Sequence, residues 1–111
     1  MANLPVVKGT LDVLVLKALT AAPMHGYEIT RWLEERSRGR IEIEDSALYQ
    51  ALYRLEQRGL VEARWGVTEN NRRARYYAVT RAGRGRLRTE SVRLTEYAAA
   101  LTAILAAEAR G

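Results

Sequence analysis

The chain has 111 residues, of which 48% are hydrophobic and 28% are charged, and its formal net charge is +5. This balance is typical of one globular domain that folds without a disulfide or a structural metal. Because the sequence contains no cysteine and one histidine, His25, it excludes a zinc finger, an iron–sulfur site and a thiol nucleophile. We therefore expect no metal and no cofactor, and we do not expect an enzyme.

The first residues lack the pattern of a secretory leader, and no window reaches the length of apolar sequence that a membrane span needs. These features predict a soluble, cytoplasmic protein with no membrane partner.

The positive charge is concentrated in one part of the chain. Residues 61–93 contain nine arginines against three glutamates, a net charge of +6, so the rest of the chain sums to −1. Seven of those arginines fall between residues 72 and 88 with no acid among them. Clustered arginine indicates a polyanionic partner, and an ordinary solvated surface is the alternative.

Two helices are predicted at the start of the chain. Apolar residues over 9–21 recur with the period of a helix and extend around more than one side of it. Such a helix has to be covered on more than one side, so we expect it to face both its own core and another element or subunit. A second helix is predicted over 26–37, with His25 in a structural role before it, and a short strand over 41–43.

The third helix is predicted from Asp45 or Ser46, either of which suits an N-cap, to residue 58, with Gly59 as the residue that stops it. Leucines on one face predict its core side. Its opposite face is rich in groups that donate and accept hydrogen bonds, namely Tyr49, Gln50, Tyr53, Arg54 and Gln57.

A β-hairpin is predicted after Gly59. Apolar residues alternate over 61–67, Asn70 and Asn71 suit a turn, and a second strand is predicted over 74–79. Arg72 and Arg73 fall at the tip of this hairpin. We expect Trp65, on the apolar face of the first strand, to lie in the core.

A long last helix is predicted from Thr80 almost to Arg110. Leu87, Leu94 and Leu101 recur every seven residues, the spacing of a coiled-coil seam. The preceding 80 residues are too few to bury such a stripe, so residues 81–111 are predicted as a dimerisation helix. Residues 1–80, with three helices and an arginine-rich hairpin, are predicted as the DNA-binding domain. The predicted homodimer contacts are Leu87, Leu94, Tyr97, Leu101, Ile104 and Leu105.

This order of elements predicts a mainly α fold with a small β-hairpin, a winged helix-turn-helix followed by a long C-terminal helix. The major groove of DNA admits one helix, and an arginine-bearing hairpin can contact the adjacent backbone or minor groove. Gln50 and Arg54 are predicted to read base edges, because glutamine suits adenine and arginine suits guanine. The residues predicted to hold the duplex are Tyr49, Tyr53, Arg72, Arg73 and Arg75.

Each of these roles has a competing interpretation. Either tyrosine would also cover the edge of the core, and Gln50 and Arg54 would also serve as solvated helix positions. Arg75 would equally form a salt bridge to Glu62 or Glu69 across the hairpin. The alternative function is a winged-helix protein-interaction module without sequence-specific DNA binding.

Four segments resemble the PadR family of bacterial transcriptional regulators. They are KGTLDVLVLKAL (8–19), PMHGYEI (23–29), ALYQALYRLEQRGLVEARWG (47–66) and ENNRRARYYAVTRAG (69–83). The resemblance implies a homodimeric repressor with an N-terminal winged-helix domain and a C-terminal dimerising helix. It also implies that a small hydrophobic or aromatic effector releases the repressor from a double-stranded DNA operator, which a two-fold dimer would read as an inverted repeat.

The chain departs from that family at the start of the third helix. Many relatives carry Gly-Ser-Leu-Tyr-Pro where this chain has Ser46-Ala47-Leu48-Tyr49-Gln50. The change removes a serine hydroxyl at Ala47 and replaces a proline with Gln50, whose side chain can read a base. The family's operator sequences therefore cannot be carried over.

Overall fold

Helices form most of the chain, and a small antiparallel hairpin precedes the last of them. The computed structural model describes residues 4–7 and 9–109. The elements are β1 (Leu4–Pro5), α1 (Leu11–Leu19), α2 (Gly26–Arg36), β2 (Ile41–Glu42), α3 (Asp45–Gln57), β3 (Val61–Val67), β4 (Arg73–Val79) and α4 (Arg81–Ala106). This arrangement confirms the predicted fold class, a winged helix-turn-helix with a long C-terminal helix. The two predicted parts of the chain are residues 1–80 and 81–111. A few of their residues lie outside the described ones, namely 1–3, 8, 110 and 111.

A two-residue parallel pairing joins the start of the chain to the segment before α3. Strand β1, which the sequence did not predict, aligns Leu4 with Ile41 and Pro5 with Glu42 of β2. The predicted strand at 41–43 is confirmed but ends one residue earlier. Ile43 is instead buried and belongs to the hydrophobic core.

Helix α1 is the centre of the hydrophobic core. Its side chains Val15, Leu16 and Ala18 are almost completely buried, and the helix contacts α2, α3, α4 and β4. The prediction that this helix must be covered on more than one side is thus confirmed, and the cover comes from the same chain.

The start of α2 is fixed by a reciprocal cap and by a link to the hairpin. The His25 Nδ1 accepts from the Glu28 N–H at 3.4 Å, and the Glu28 carboxylate accepts from the His25 N–H at 3.2 Å. This capping box satisfies two N–H groups that the helix leaves unpaired. Met24 exchanges two backbone hydrogen bonds with Tyr77, of 3.0 and 2.8 Å, so β4 is bonded on both sides.

The N-cap of α3 lies one residue before the first of the two predicted caps. Glu44, rather than Asp45 or Ser46, is the N-cap, and it makes no side-chain cap bond. Asp45 then lies in the first turn, where its negative charge suits the positive end of the helix dipole. The predicted stop at Gly59 is confirmed, because this residue has a φ of 71°, a conformation that favours glycine.

The hairpin extends beyond the core that the helices form. Val61 at the base of β3 is buried, whereas Trp65 is 62% exposed. The prediction that Trp65 lies in the core is therefore wrong, although the predicted alternation of the strand is correct. The loop between the strands turns at Asn71, whose φ of 60° is the left-handed conformation expected of this residue.

The first turn of α4 is clamped to the segment that follows α3. The Thr80 hydroxyl accepts from the Gly83 N–H at 3.0 Å and donates to the Gly59 carbonyl at 2.8 Å, and the Thr80 N–H donates to the Leu60 carbonyl at 3.1 Å. Thr80 is thus the N-cap, as predicted. Gly83 approaches Leu60 so closely that a Cβ on Gly83 would overlap the Leu60 carbonyl oxygen.

Only the first half of α4 packs against the rest of the chain. Leu87 is 8% exposed and belongs to the protomer's own core, which corrects its assignment to a dimer seam. Leu94 is half-buried. Beyond it every residue of the helix is exposed, including Ile104 at 70% and Leu105 at 83%. The helix ends at Ala106, a few residues before the predicted end.

Gly83 and Gly85 provide a matched test of the α4 junction. We expect Gly83→Ala to lower the free energy of unfolding by about 1–3 kcal/mol, since the new methyl group meets backbone that cannot move aside. Gly85→Ala meets only the end of the Arg88 side chain at 3.7 Å and should raise that free energy by about 0.5–1 kcal/mol. Urea denaturation measures both, and equal stabilisation by the two substitutions would contradict the junction.

Candidate nucleic-acid interface

The outward face of α3 consists of polar and aromatic side chains. At 100° per residue, the direction opposite the buried Leu48 and Leu52 is occupied by four side chains. They are Ser46, Gln50, Tyr53 and Gln57, all of them exposed. The helix is about 20 Å long, so these groups form a continuous strip that can enter a groove about as wide as a helix.

Tyr49 lies at the side of this strip that faces α2. Its phenol ring packs over Gly26, where a Cβ would lie 2.5 Å from the Tyr49 hydroxyl oxygen. The ring is nevertheless exposed over about half its surface. The glycine at the start of α2 therefore sets the position of a predicted DNA-contacting tyrosine.

Arg54 lies at the other side of the strip, toward α1. Its Nη2 donates to Asp12 Oδ1 at 2.6 Å and its Nε donates to Asp12 Oδ2 at 3.3 Å. The hydrogen bonds that Arg54 donates to Asp12 raise the pKa of its guanidinium above the usual range. The predicted base contact of Arg54 stays a prediction, and it now competes with this two-pronged ion pair.

Arg75 of β4 also has a carboxylate partner. Its Nη2 donates to Glu56 Oε2 at 3.0 Å, which links the hairpin to α3. The sequence suggested a salt bridge from Arg75 to Glu62 or Glu69, and that prediction is wrong. Glu62 points to the other face of the hairpin, and Glu69 belongs to its loop. Burial raises the pKa of the adjacent Tyr77.

Arg72 and Arg73 lie at the exposed end of the hairpin, as predicted. The Arg73 guanidinium lies over the Trp65 ring, 4.7 Å from its centroid, which holds one cation of the tip in place. Within residues 4–7 and 9–109 neither arginine has a salt-bridge partner. Both charges are thus available to an anionic partner.

Three side chains of this surface are absent from the predicted DNA contacts. Ser46 suits a cap by its residue type and Gln57 is predicted only as part of the polar face, although helical spacing places both beside Gln50. Trp65 has the pattern of a core residue, because alternation gives the face of a strand but not the distance to which the core extends.

The part of the chain that the structure describes contains no cluster of three acidic or histidine side chains that would hold a metal ion. Over the same residues, no helix combines the length and the apolar character required to cross a membrane.

The three helices, the polar strip of α3 and the arginine-tipped hairpin define a winged-helix protein of the kind that regulators of transcription use. Comparison with known families agrees, since residues 15–89 match the transcriptional regulator PadR-like family. The chain belongs to that family, which confirms the resemblance found in its motifs.

Solved structures of the family share the fold. A PadR family transcriptional regulator from Eggerthella lenta DSM 2243 is 29% identical, with a TM-score of 0.74 over 91% of this chain and 86% of that chain. The protein smu.1704 from Streptococcus mutans UA159 is 23% identical, with a TM-score of 0.79 over 99% of both chains. Bacillus subtilis PadR, solved in complex with operator DNA, is 22% identical, with a TM-score of 0.67 over 75% of this chain and 47% of that chain.

Gly26→Ala should weaken binding to DNA by displacing the Tyr49 ring. The exposed ring can rotate away from the new methyl group, so we expect the free energy of unfolding to change by less than about 1 kcal/mol. Without this one positioning interaction, DNA binding should be weaker by roughly 5- to 10-fold. Tyr49→Phe is the comparison, because it keeps the ring and removes the hydroxyl. Undiminished binding by Gly26→Ala would exclude Tyr49 from the interface.

Proposed function

We propose that this chain is a homodimeric, sequence-specific DNA-binding repressor, with an inverted repeat as its operator. The observation that carries the proposal is the juxtaposition of the exposed polar strip of α3 with two arginines at the hairpin tip that have no salt-bridge partner among the described residues. A helix with such a strip fits the major groove, and arginines beside it can neutralise the adjacent phosphates. The operator complex of Bacillus subtilis PadR supports this choice of partner.

Within this proposal, Gln50 reads a base edge and Tyr49 and Tyr53 set the register of the helix on the duplex. Arg72 and Arg73 contact the backbone through the hairpin. Arg54 and Arg75 each bind a carboxylate, Asp12 and Glu56 respectively. Each contacts DNA either by leaving this carboxylate or by binding it and the DNA at the same time. These roles are consistent with the polar groups that each side chain exposes.

The exposed half of α4 supports the homodimer. Leu94, Tyr97, Leu101, Ile104 and Leu105 lie within about one third of the helix circumference, and all but the half-buried Leu94 are exposed. Burial of one large apolar side chain stabilises a contact by about 1.5–3 kcal/mol, and two-fold symmetry doubles each contribution. A second copy of this chain presents the same stripe.

A groove between α1, α3 and α4 supports the proposed release by a small molecule. It has a volume of about 610 Å³, and apolar side chains such as Val13 and Leu16 line it together with five charged ones, Asp12, Arg54, Arg58, Arg86 and Glu90. This volume is in the range of small-molecule sites. A hydrophobic or aromatic effector there would contact the helix that reads DNA and the helix that pairs the two copies.

Removing the hairpin arginines should flatten the salt dependence of DNA binding. The logarithm of the association constant falls with the logarithm of the salt concentration, with a slope of about 0.9 for each phosphate neutralised. Arg72→Ala with Arg73→Ala should reduce the slope by about that amount for each phosphate that is no longer neutralised. Arg88→Ala with Arg93→Ala removes the same charge from α4 and is the control. Equal slopes for the native and hairpin variants in a filter-binding titration would remove the hairpin from the interface.

Charge placed on the stripe of α4 should separate the two copies. We expect Leu94→Asp with Leu101→Asp to give a monomer in sedimentation experiments and to reduce operator affinity by about 100-fold or more, because the two half-site contacts are no longer linked. Ala99→Asp with Ala103→Asp adds the same charge to the opposite face of the helix and should stay dimeric. A Leu94 and Leu101 variant that remains a dimer would refute this interface.

A further inference from the structure

Trp65 is a large apolar side chain that the protomer leaves in solvent. It lies on the same face of β3 as the buried Val61, about 13 Å further along the hairpin at the usual rise of a strand. Trp65 is 62% exposed, and Val67, the next residue of that face, is exposed as well. The two side chains therefore present an apolar surface that the protomer's own core does not use.

This surface belongs to the face of the hairpin that is turned toward α3. The residue directly opposite Trp65 on β4 is Arg75, and opposite residues of an antiparallel pair have their side chains on the same face. Arg75 in turn binds Glu56 of α3 at 3.0 Å. The other face carries Tyr76, whose ring meets that of His25 at the start of α2. Trp65 thus lies beside the helix that we propose to enter the major groove.

Two guanidinium groups accompany the Trp65 ring. The guanidinium carbons of Arg73 and Arg75 lie 4.7 and 6.0 Å from its centroid. Both arginines belong to β4, so the ring leans across that strand and cation–π attraction holds it there. The result is a flat apolar surface with positive charge beside it.

One part of the DNA duplex has the matching chemistry. In the proposed complex α3 occupies the major groove and the hairpin tip contacts the adjacent backbone or minor groove. Trp65 lies between these two contacts, where a sugar–phosphate strand separates the grooves. A deoxyribose has an apolar C2′ methylene group and a phosphate on either side, which suit the indole ring and the neighbouring arginine.

We propose that Trp65 packs on a deoxyribose of the bound duplex, with Arg73 on an adjacent phosphate, and that this contact favours deoxyribose over ribose at that nucleotide. A ribose would place its 2′-hydroxyl under the indole ring, where the hydroxyl loses water and gains no hydrogen bond. This inference rests on the proposed DNA-binding function. It adds a side chain that recognises the sugar, whereas Gln50 is proposed to recognise a base.

Tryptophan fluorescence tests whether Trp65 meets DNA. The sequence contains two tryptophans, so Trp32→Phe leaves Trp65 as the reporter. Acrylamide should quench this variant strongly, and duplex DNA at low salt should reduce the quenching constant severalfold. A control with Trp32→Phe, Trp65→Phe and Val92→Trp moves the reporter to an exposed position of α4 and should show no such protection.

Two results of this experiment would overturn the proposal. One is an unchanged quenching constant for Trp65 in protein whose binding to a labelled duplex is confirmed by anisotropy. The other is protection by a higher protein concentration without DNA, which would make the surface a contact between copies of this chain. Absence of any DNA binding by the native chain would instead refute the proposed function.

Single ribonucleotides test the recognition of the sugar. They are placed one at a time in a duplex that the native chain enriches from random sequences. At one nucleotide of each half-site the 2′-hydroxyl should weaken native binding about tenfold. Trp65→Ala should itself weaken binding to the all-DNA duplex about tenfold and should be insensitive to that ribonucleotide, whereas Val92→Ala should behave as the native chain. Equal losses for the native chain and Trp65→Ala at every position would mean that the hydroxyl acts through the shape of the duplex, and the proposed sugar contact would be wrong.

Discussion

The close approach of α4 to the segment after α3 is the constraint on which the proposed dimer depends. Thr80 bonds to the backbone of Gly59, Leu60 and Gly83, and Gly83 leaves no room for a side chain against Leu60. The direction of the 26-residue helix α4 is thereby tied to the end of α3. Because α4 leaves the domain at a fixed angle, pairing of two α4 helices also fixes the distance between two α3 helices.

The arginines of this chain serve different purposes, which their positions distinguish. Arg54 and Arg75 flank the outward strip of α3 and bind carboxylates of α1 and α3, Asp12 and Glu56. Both pairs are partly exposed, so each contributes at most about 1 kcal/mol to stability. Their main effect is to fix the positions of the two guanidinium groups beside the strip. The arginines at the hairpin tip are without such partners among the residues described.

Local patterns in the sequence predicted the helices, the hairpin and the stop at Gly59, because periodicity and turn chemistry are encoded by neighbouring residues. They did not predict which carboxylate each arginine binds, since Asp12 and Arg54 meet only after α1 packs on α3. They also placed Trp65 in the core and Leu87 in a dimer seam. Both errors have one cause, namely that a pattern identifies the apolar face of an element but not where the protomer's core ends.

The distance between the two half-sites of the operator tests this account most directly. A dimer held by α4 presents its two α3 helices about one turn of DNA apart, or about 10 base pairs. Insertion of about five base pairs between the half-sites turns one of them to the opposite side of the duplex. The account predicts that affinity falls by about 100-fold or more, since the second contact is no longer possible. Unchanged affinity for the lengthened operator would mean that each copy binds alone, which would contradict it.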